Sequence, residues 1–480
     1  MSSNLFPHQA EGITFLKEKG RAILADEMGL GKTRQAIVAA IEAGDLQHAE
    51  VVVCPASLKV NWQREINAVD PAAAVRICSG TVNEESIANE WKLAQLDGRR
   101  FWIVINYDIL GKNAGWLTEW GESDCLGTLI LDEVHYIKGQ SIRAKAALQV
   151  AAQAPRVYAL TGTPILNRPI EFFNTLRAIG HPLTQGHPPS KARKDYAVRY
   201  CNAFLRRMGP YRFWDESGAS NLDELQAFVQ PWMLRRKKAE VLDLPPKIVT
   251  TLDVELSKDD RARYESAWQD YVQWVANHPE LGKDLGNVLM AQQLVELQKL
   301  KQVCSLAKVP RIAADVRNAI EQGEKVIVFS QYTETIHQLA QELRKEGVVT
   351  LTGADDQNAR QRAVDAFQGT DSVKVFVANL KAGGVGLTLT AATIVMFADM
   401  DWSPEQHAQA EDRAHRIGQG GTVNVYYYVT TGTIEEDIVR ILEAKKEIIK
   451  ALVEGQAGRM KGVSMAEEIA RLTARKAIPA

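Results

Sequence analysis

Short, unbroken apolar runs alternate along this chain with longer stretches whose apolar positions recur every three or four residues. Ala22 to Ala25, Val51 to Cys54, Trp102 to Ile105, Thr128 to Leu131 and Val157 to Leu160 read as buried strands, each leading into a helical pattern. The scheme returns in Val326 to Phe329, Val348 to Thr352, Val373 to Ala378, Thr393 to Phe397 and Val423 to Val429. Such alternation builds parallel sheets flanked by helices, so the expected fold class is α/β with two parallel-sheet lobes. Open sheets of this kind take ligands beyond the carboxyl ends of their strands, which makes the strand-exit loops the place to look for chemistry.

From about Gly180 to Pro310 the rhythm gives way to long polar or amphipathic stretches, expected as helical insertions rather than a third globular domain. Pro245 and Pro246 cannot continue a helix, so Leu244 to Lys247 is the expected hinge. After Thr433, Ile434, Ile438, Ile441, Leu442, Ile448 and Leu452 fall at helical spacing. The expected division is therefore lobe one over 1–240 with an insertion at 181–235, an interlobe hinge and helical protrusion over 241–310, lobe two over 311–455, and a tail over 456–480.

With 480 residues, 46% hydrophobic and 24% charged, the chain has the make-up of an ordinary globular protein with more than one core. No apolar run approaches the roughly 18 residues of a membrane span, and no secretory signal opens the sequence. The five cysteines, Cys54, Cys78, Cys125, Cys201 and Cys304, have no metal-ligand spacing, which fits a reducing compartment. A net charge of -2 means that any nucleic-acid binding must come from a local basic face. One candidate is Lys191 to Arg212, with seven basic residues against the single acid Asp195. Its Tyr196, Tyr200 and Phe204 are spaced by four, as in a helix core stripe, while its arginines read equally as DNA-facing or merely solvated.

Candidate chemistry begins at Asp26-Glu-Met-Gly29-Leu-Gly31-Lys32-Thr33, between an expected strand and an expected helix. Glycines let backbone N–H groups approach phosphate, Lys32 can reach the β- and γ-phosphates, and Thr33 can hold magnesium. A generic P-loop has Gly where Asp26 stands, so alone this segment is either a nucleotide site or a glycine turn. Leu129-Ile-Leu-Asp132-Glu133 supplies the context: Asp132 at a strand exit suits magnesium, and Glu133 can orient or activate water. Farther on, Arg413 and Arg416 stand three apart, which on a helix puts both on one face where they can act as arginine fingers.

Taken together, DEMGLGKT, DEVH, LTGTP (160–164), VIVFSQ (326–331), AGGVGLTL (382–389) and RAHRIGQ (413–419) resemble, in order, the motif set of the Swi/Snf family of helicase-like ATPases. Asp at position 26 suits that family. Arg199-Tyr-Cys201, Trp214 to Leu222, Met233 to Val241, Thr388 and Asp412 resemble its annealing-helicase branch. The resemblance implies two RecA-like lobes with helical insertions, binding ATP and magnesium. It assigns catalysis to Lys32, Asp132, Glu133, Arg413 and Arg416, nucleotide binding to Gln9, Gly29, Gly31, Lys32, Thr33 and Gly386, and metal binding to Thr33 and Asp132. Lys59, Asn61, Asn106, Ser330 and Lys381 correspond to segments that track a DNA backbone.

The function implied is an ATP-dependent translocase on double-stranded or forked DNA, remodelling or annealing DNA or displacing bound protein without net unwinding. Two alternatives stay open: a strand-separating DNA or RNA helicase, and a nucleic-acid-binding scaffold with a vestigial ATPase. A monomer is expected, with no membrane association, in the cytoplasm or nucleoid of a prokaryotic or viral system or in a eukaryotic nucleus. Neither protein partners nor the preferred DNA structure are encoded in any motif.

Overall fold

The computed structural model describes residues 5–162, 169–185, 189–208, 211–216, 218–278, 287–383 and 387–454. Its described residues divide into two compact units, 5–243 with 449–454, and 244–448. The first unit contains β1 (Arg21–Leu24), β2 (Ala49–Cys54), β3 (Ala74–Ile77), β4 (Phe101–Asn106), β5 (Leu126–Leu131), β6 (Arg156–Leu160), β7 (Phe204–Met208), β8 (Tyr211–Asp215) and β9 (Met233–Leu234). The second contains β10 (Lys247–Val254), β11 (Val326–Ser330), β12 (Val348–Leu351), β13 (Val375–Asn379), β14 (Ile394–Phe397) and β15 (Val423–Thr430).

Among the described residues the first unit has a seven-stranded sheet ordered β3-β4-β2-β5-β6-β1-β9, and the second a six-stranded sheet ordered β10-β15-β14-β11-β13-β12. Every pairing within these two sheets is parallel. The expected fold class therefore holds, and each strand anticipated from an apolar run is present. Those runs fill the sheet interiors: every residue of β2, β4 and β5 is buried. Helices cover the sheets, and in the last of them Ile434, Ile438, Ile441 and Leu442 are buried at helical spacing, as expected.

Five strands, β3, β7, β8, β9 and β10, had no counterpart in the apolar pattern. β3 and β10 lie at sheet edges, where one flank stays open, so neither needs an unbroken apolar run. Ile248 and Val249 on β10 remain half exposed. The helical expectation for 180–310 is thus corrected in part: the region carries the antiparallel hairpin β7–β8, the two-residue β9, and β10, which pairs with β15 from Lys247↔Val423 to Val254↔Thr430. It does contain the helices Pro189–Tyr200, Lys258–Ala276 and Asn287–Ala307.

A buried ion pair ties helices to the second sheet. Lys308, fully buried, donates to both oxygens of Glu435 at 2.7 Å and to the Tyr428 carbonyl at 2.9 Å. Glu435 also accepts the Thr430 N–H and hydroxyl, so each buried charge is compensated.

In the first unit Glu50 is a lone carboxylate within the apolar run of β2. The β2–β5 register jumps from Ala49↔Leu126 to Val51↔Leu129, so β5 carries one extra residue there. Glu50 accepts the Thr128 backbone N–H at this irregularity, satisfying a donor that would otherwise be buried without a partner. Burial pushes its carboxyl up to about 7, against the opposing pull of the Thr128 N–H and of Arg156 and Arg100. The folded protein thus holds a proton that the unfolded chain, titrating near 4.5, releases. Stability is fully present below pH 4.5 and declines as pH rises through 7. Glu50→Gln removes this titration. Its stability relative to the parent should rise by about 1–3 kcal/mol between pH 5 and pH 8 in urea unfolding, and a pH-independent difference would refute the assignment.

Candidate nucleotide site

The strand-exit loop after β1 leads directly into the helix Lys32–Ala43. Gly29 and Gly31 both have left-handed backbones, φ 84° and 76°, which glycine adopts without steric cost. At Gly31 the requirement is double, because a Cβ would strike the Gln9 side-chain nitrogen. The N–H groups of the helix's first turn lack intrahelical partners, and together with the helix dipole they favour an anion. Thr33 lies in that turn, half-buried. Lys32 curls back so that Nζ donates to the carbonyls of Asp26 at 2.8 Å and Glu27 at 3.3 Å. Gln9 is buried against the loop, its Nε2 donating to the Leu30 carbonyl at 3.4 Å while Oε1 accepts the Phe6 N–H at 3.2 Å.

Asp26 has a role that the motif alone does not reveal. Fully buried, it accepts the Arg236 guanidinium bidentately, Nε to Oδ1 at 3.0 Å and Nη2 to Oδ2 at 2.6 Å. Arg236 also donates to the His8 carbonyl, to Glu11 and to Gln35, whose own Nε2 donates to Asp26 at 3.2 Å. The backbone follows: Ala25 N donates to Leu234 O at 2.7 Å, and Glu27 N to Arg236 O at 2.9 Å. A segment more than 200 residues downstream therefore braces the P-loop, extending the β1–β9 pairing past the strand ends.

Asp132 follows β5 at the carboxyl end of the same sheet. Its Oδ2 accepts Trp62 Nε1 at 2.8 Å, its Oδ1 accepts the Glu133 N–H at 3.0 Å, and its carbonyl accepts the Tyr107 hydroxyl at 2.8 Å. Burial first, then the charge of Glu133, pushes the Asp132 carboxyl up to about 7, opposed by the Trp62 bond and the positive charge of Lys32. Glu133 has φ 49°, left-handed in a residue with a Cβ. Such strain costs about 1–3 kcal/mol and persists where the surroundings impose it. Less enclosed than Asp132, Glu133 has its carboxylate 3.4 Å from the His135 ring. Trp62 and Tyr107 were not anticipated as supports for Asp132. The one signal was their position in the segments holding Lys59, Asn61 and Asn106.

In the second unit the helix Pro404–Glu411 stops short of Arg413 and Arg416, correcting the expectation of a shared helical face. They converge nonetheless, from the turn that follows: Nη1 of each lies 3.3 Å from the Leu387 carbonyl. Gln419 spans that turn, its Nε2 donating to the carbonyls of Thr390, Ala392 and Ala414. His415 contacts the Pro245 carbonyl at 2.8 Å. Gly386 and the Thr163-Pro164 portion of LTGTP lie outside the described residues.

The DNA-tracking candidates differ in exposure. Lys381 is exposed, whereas half-buried Lys59 donates to the Cys78 carbonyl at 2.9 Å and Asn61 is half-buried. Asn106 is buried with its amide 3.4 Å from Asp108. Ser330 is fully buried, its hydroxyl donating to Asp399 at 2.5 Å. In the basic segment Tyr196 and Tyr200 join the core, as the stripe predicts, but Phe204 departs from it, half exposed on β7. Arg193 pairs with Glu216, and Arg199 with Glu224.

The SNF2-related domain matches residues 8–352, and the helicase conserved C-terminal domain matches 304–418. Mus musculus DNA annealing helicase and endonuclease ZRANB3 is 30% identical over 468 residues, 96% of this chain and 42% of that protein. The Caenorhabditis elegans homolog of SWI/SNF-related matrix-associated actin-dependent regulator of chromatin subfamily A-like protein 1 is 31% identical over 461 residues, 93% of this chain and 61% of that protein. An uncharacterized ATP-dependent helicase of Mycoplasma genitalium is 28% identical over 98% of this chain and 44% of its own length. The chain thus spans 42% to 61% of these relatives. Among solved structures, the Sulfolobus solfataricus SWI2/SNF2 ATPase core in complex with dsDNA is 24% identical, covering 99% of this chain and 95% of that one with a TM-score of 0.43. Among the described residues no helix is long and apolar enough to cross a membrane.

Proposed function

Because the chain belongs to the SNF2-related family of ATP-binding, helicase-like ATPases, we propose that it is an ATP-driven translocase on double-stranded or forked DNA. It would remodel or anneal DNA, or displace bound protein, without net strand separation. The observation that carries the nucleotide chemistry is the pairing of a glycine loop and its Lys32 with Asp132 and Glu133 at the carboxyl ends of one parallel sheet, close enough for Lys32 to act on the Asp132 carboxyl. The annealing direction draws on the 30% identity to a named DNA annealing helicase.

In this reading the first-turn N–H groups of Lys32–Ala43 and the Lys32 ammonium bind phosphates, Gln9 and the loop glycines shape the nucleotide pocket, and Glu133 orients water. Thr33 hydroxyl and Asp132 carboxylate are hard oxygen donors of the kind magnesium takes, and the charge of Glu133 beside the buried Asp132 carboxyl favours a cation there. Magnesium bound there would neutralise charge on the phosphate oxygens. Arg413 and Arg416 are proposed as arginine fingers and Gly386 as a nucleotide-binding residue. Lys59, Asn61, Asn106, Ser330 and Lys381 mark the segments proposed to follow a DNA backbone; for buried Asn106 and Ser330 the contact would fall to neighbouring groups. The proposed protein acts as a monomer in whichever compartment holds its host's DNA.

Steady-state ATP hydrolysis with no nucleic acid, single-stranded DNA, duplex, forked DNA and RNA tests the reading. Duplex or forked DNA should stimulate at least about tenfold more than RNA, a difference of about 1.4 kcal/mol. Stimulation by RNA or single strands alone would instead select a strand-separating helicase, and no turnover with any polymer would select a scaffold.

A further inference from the structure

The hairpin β7–β8 stands apart from both large sheets, with Phe204, Leu205 and Trp214 exposed by 53%, 47% and 41%. A two-stranded ribbon is marginal in water by itself, and apolar side chains left in solvent do nothing to hold it. Its base is nevertheless firmly bolted. Arg193 pairs with Glu216, Ser220 N donates to Tyr200 O at 2.9 Å, and the Ser220 hydroxyl and Asn221 amide donate to Arg199 O at 2.8 and 2.7 Å. Behind that base Tyr196 and Tyr200 are core residues. The helix aromatics thus serve packing, whereas those of the hairpin are presented to solvent on an anchored mount.

One face of the ribbon has a definite chemistry. Leu205 is directly opposite Trp214, and residues opposite one another in an antiparallel pair share a face. Arg212, exposed and two residues from Trp214, falls on that face too. Lys194 from the helix Pro189–Tyr200 places Nζ 4.9 Å over the Trp214 ring. An indole flanked by two cations, with seven basic residues against three acids from Lys191 to Glu216 and Glu216 itself paired with Arg193, is complementary to a ligand with flat faces and negative charge. Duplex DNA hides its base faces in the stack, while an unpaired strand exposes both bases and phosphates.

We infer that this hairpin face is a stacking platform for unpaired nucleotides, engaging the single-stranded arm where a DNA duplex opens. The inference rests on the translocase reading and deepens it by naming the part of a forked substrate that the first unit grips. Trp214 and Leu205 take base faces, and Lys194 and Arg212 take the adjacent phosphates. The contact reads no sequence, because every base has a π-face.

Fluorescence anisotropy with the full chain tests it, using three fluorescein-labelled DNAs: a single strand, a blunt duplex, and a fork with unpaired arms. Trp214→Ala and Arg212→Glu should each weaken single-strand and fork binding by about tenfold, the usual scale of one base–aromatic contact. Blunt-duplex binding and duplex-stimulated hydrolysis should change by less than about twofold, below 0.5 kcal/mol. Trp214→Phe, which keeps a ring, should recover most of the lost affinity, and far-ultraviolet circular dichroism checks that each variant is folded. Unchanged single-strand affinity in both Trp214→Ala and Arg212→Glu would overturn the inference and leave the face to a partner other than nucleic acid; an equal loss on all three DNAs would overturn it too, and mark a general DNA-backbone contact instead. If instead duplex fails to stimulate the parent protein, the translocase reading falls, while the single-strand comparison still judges the hairpin.

Discussion

Glu133→Gln is expected to cut ATP hydrolysis by about 100- to 10,000-fold in a protein that stays folded and still binds nucleotide. The substitution keeps the shape of the side chain and removes only its ability to accept a proton. Glu133 is held out of the usual backbone range at φ 49°, beside an Asp132 that is anchored by Trp62 and Tyr107. Surroundings that impose such a backbone aim the side chain precisely enough for chemistry. Lys32→Ala should lose turnover to a similar degree but weaken nucleotide binding as well, because in the proposed site the ammonium meets phosphate directly. Single-turnover hydrolysis combined with a fluorescent-nucleotide titration separates the two. Hydrolysis at the parent rate in Glu133→Gln would remove Glu133 from the reaction, and unchanged binding and turnover in Lys32→Ala would discard the site.

The second large effect concerns stability. Arg236→Met should lower the unfolding free energy by about 3–5 kcal/mol, because it strands the fully buried Asp26 carboxylate without its cation. Removing both charges in Asp26→Ala/Arg236→Met should restore a large share of that loss, since an apolar pair in the same space leaves no uncompensated charge. Urea unfolding of the parent, the two single variants and the double variant closes the cycle. A double variant no more stable than the sum of the singles would show that the pair is not coupled. Hydrolysis in the double variant is a separate readout: the P-loop backbone would keep its bonds to Leu234 and Arg236 main-chain atoms but lose its side-chain brace.

This brace shows where reading the chain alone runs out. Arg235, Arg236, Lys237 and Lys238 form an unbroken basic run, of which Arg236 and Lys238 are buried. Charge clusters in a sequence carry no mark of which member turns inward; that depends on β9 lying beside β1. Trp62 is similar, an apolar residue near the candidate DNA contacts whose indole N–H holds Asp132 across 70 residues. Arg413 and Arg416 illustrate the converse. Their convergence was anticipated for a helix, but the helix ends at Glu411 and a turn braced by Gln419 brings both guanidinium groups to Leu387.

By itself the sequence determined the interior strands of both sheets, the glycine loop leading into a helix, and the carboxylate pair at a strand exit. Each is a short-range pattern: a buried strand must be continuously apolar, and a phosphate loop must have glycine where the backbone turns left-handed. Tertiary structure alone decided the edge strands β3 and β10, the solvent-facing hairpin, the clamp on Asp26 and the seat of Asp132. Those depend on which segments become neighbours once the strands are ordered, and a buried polar group takes its partner from whatever lies within about 3 Å, however distant along the chain.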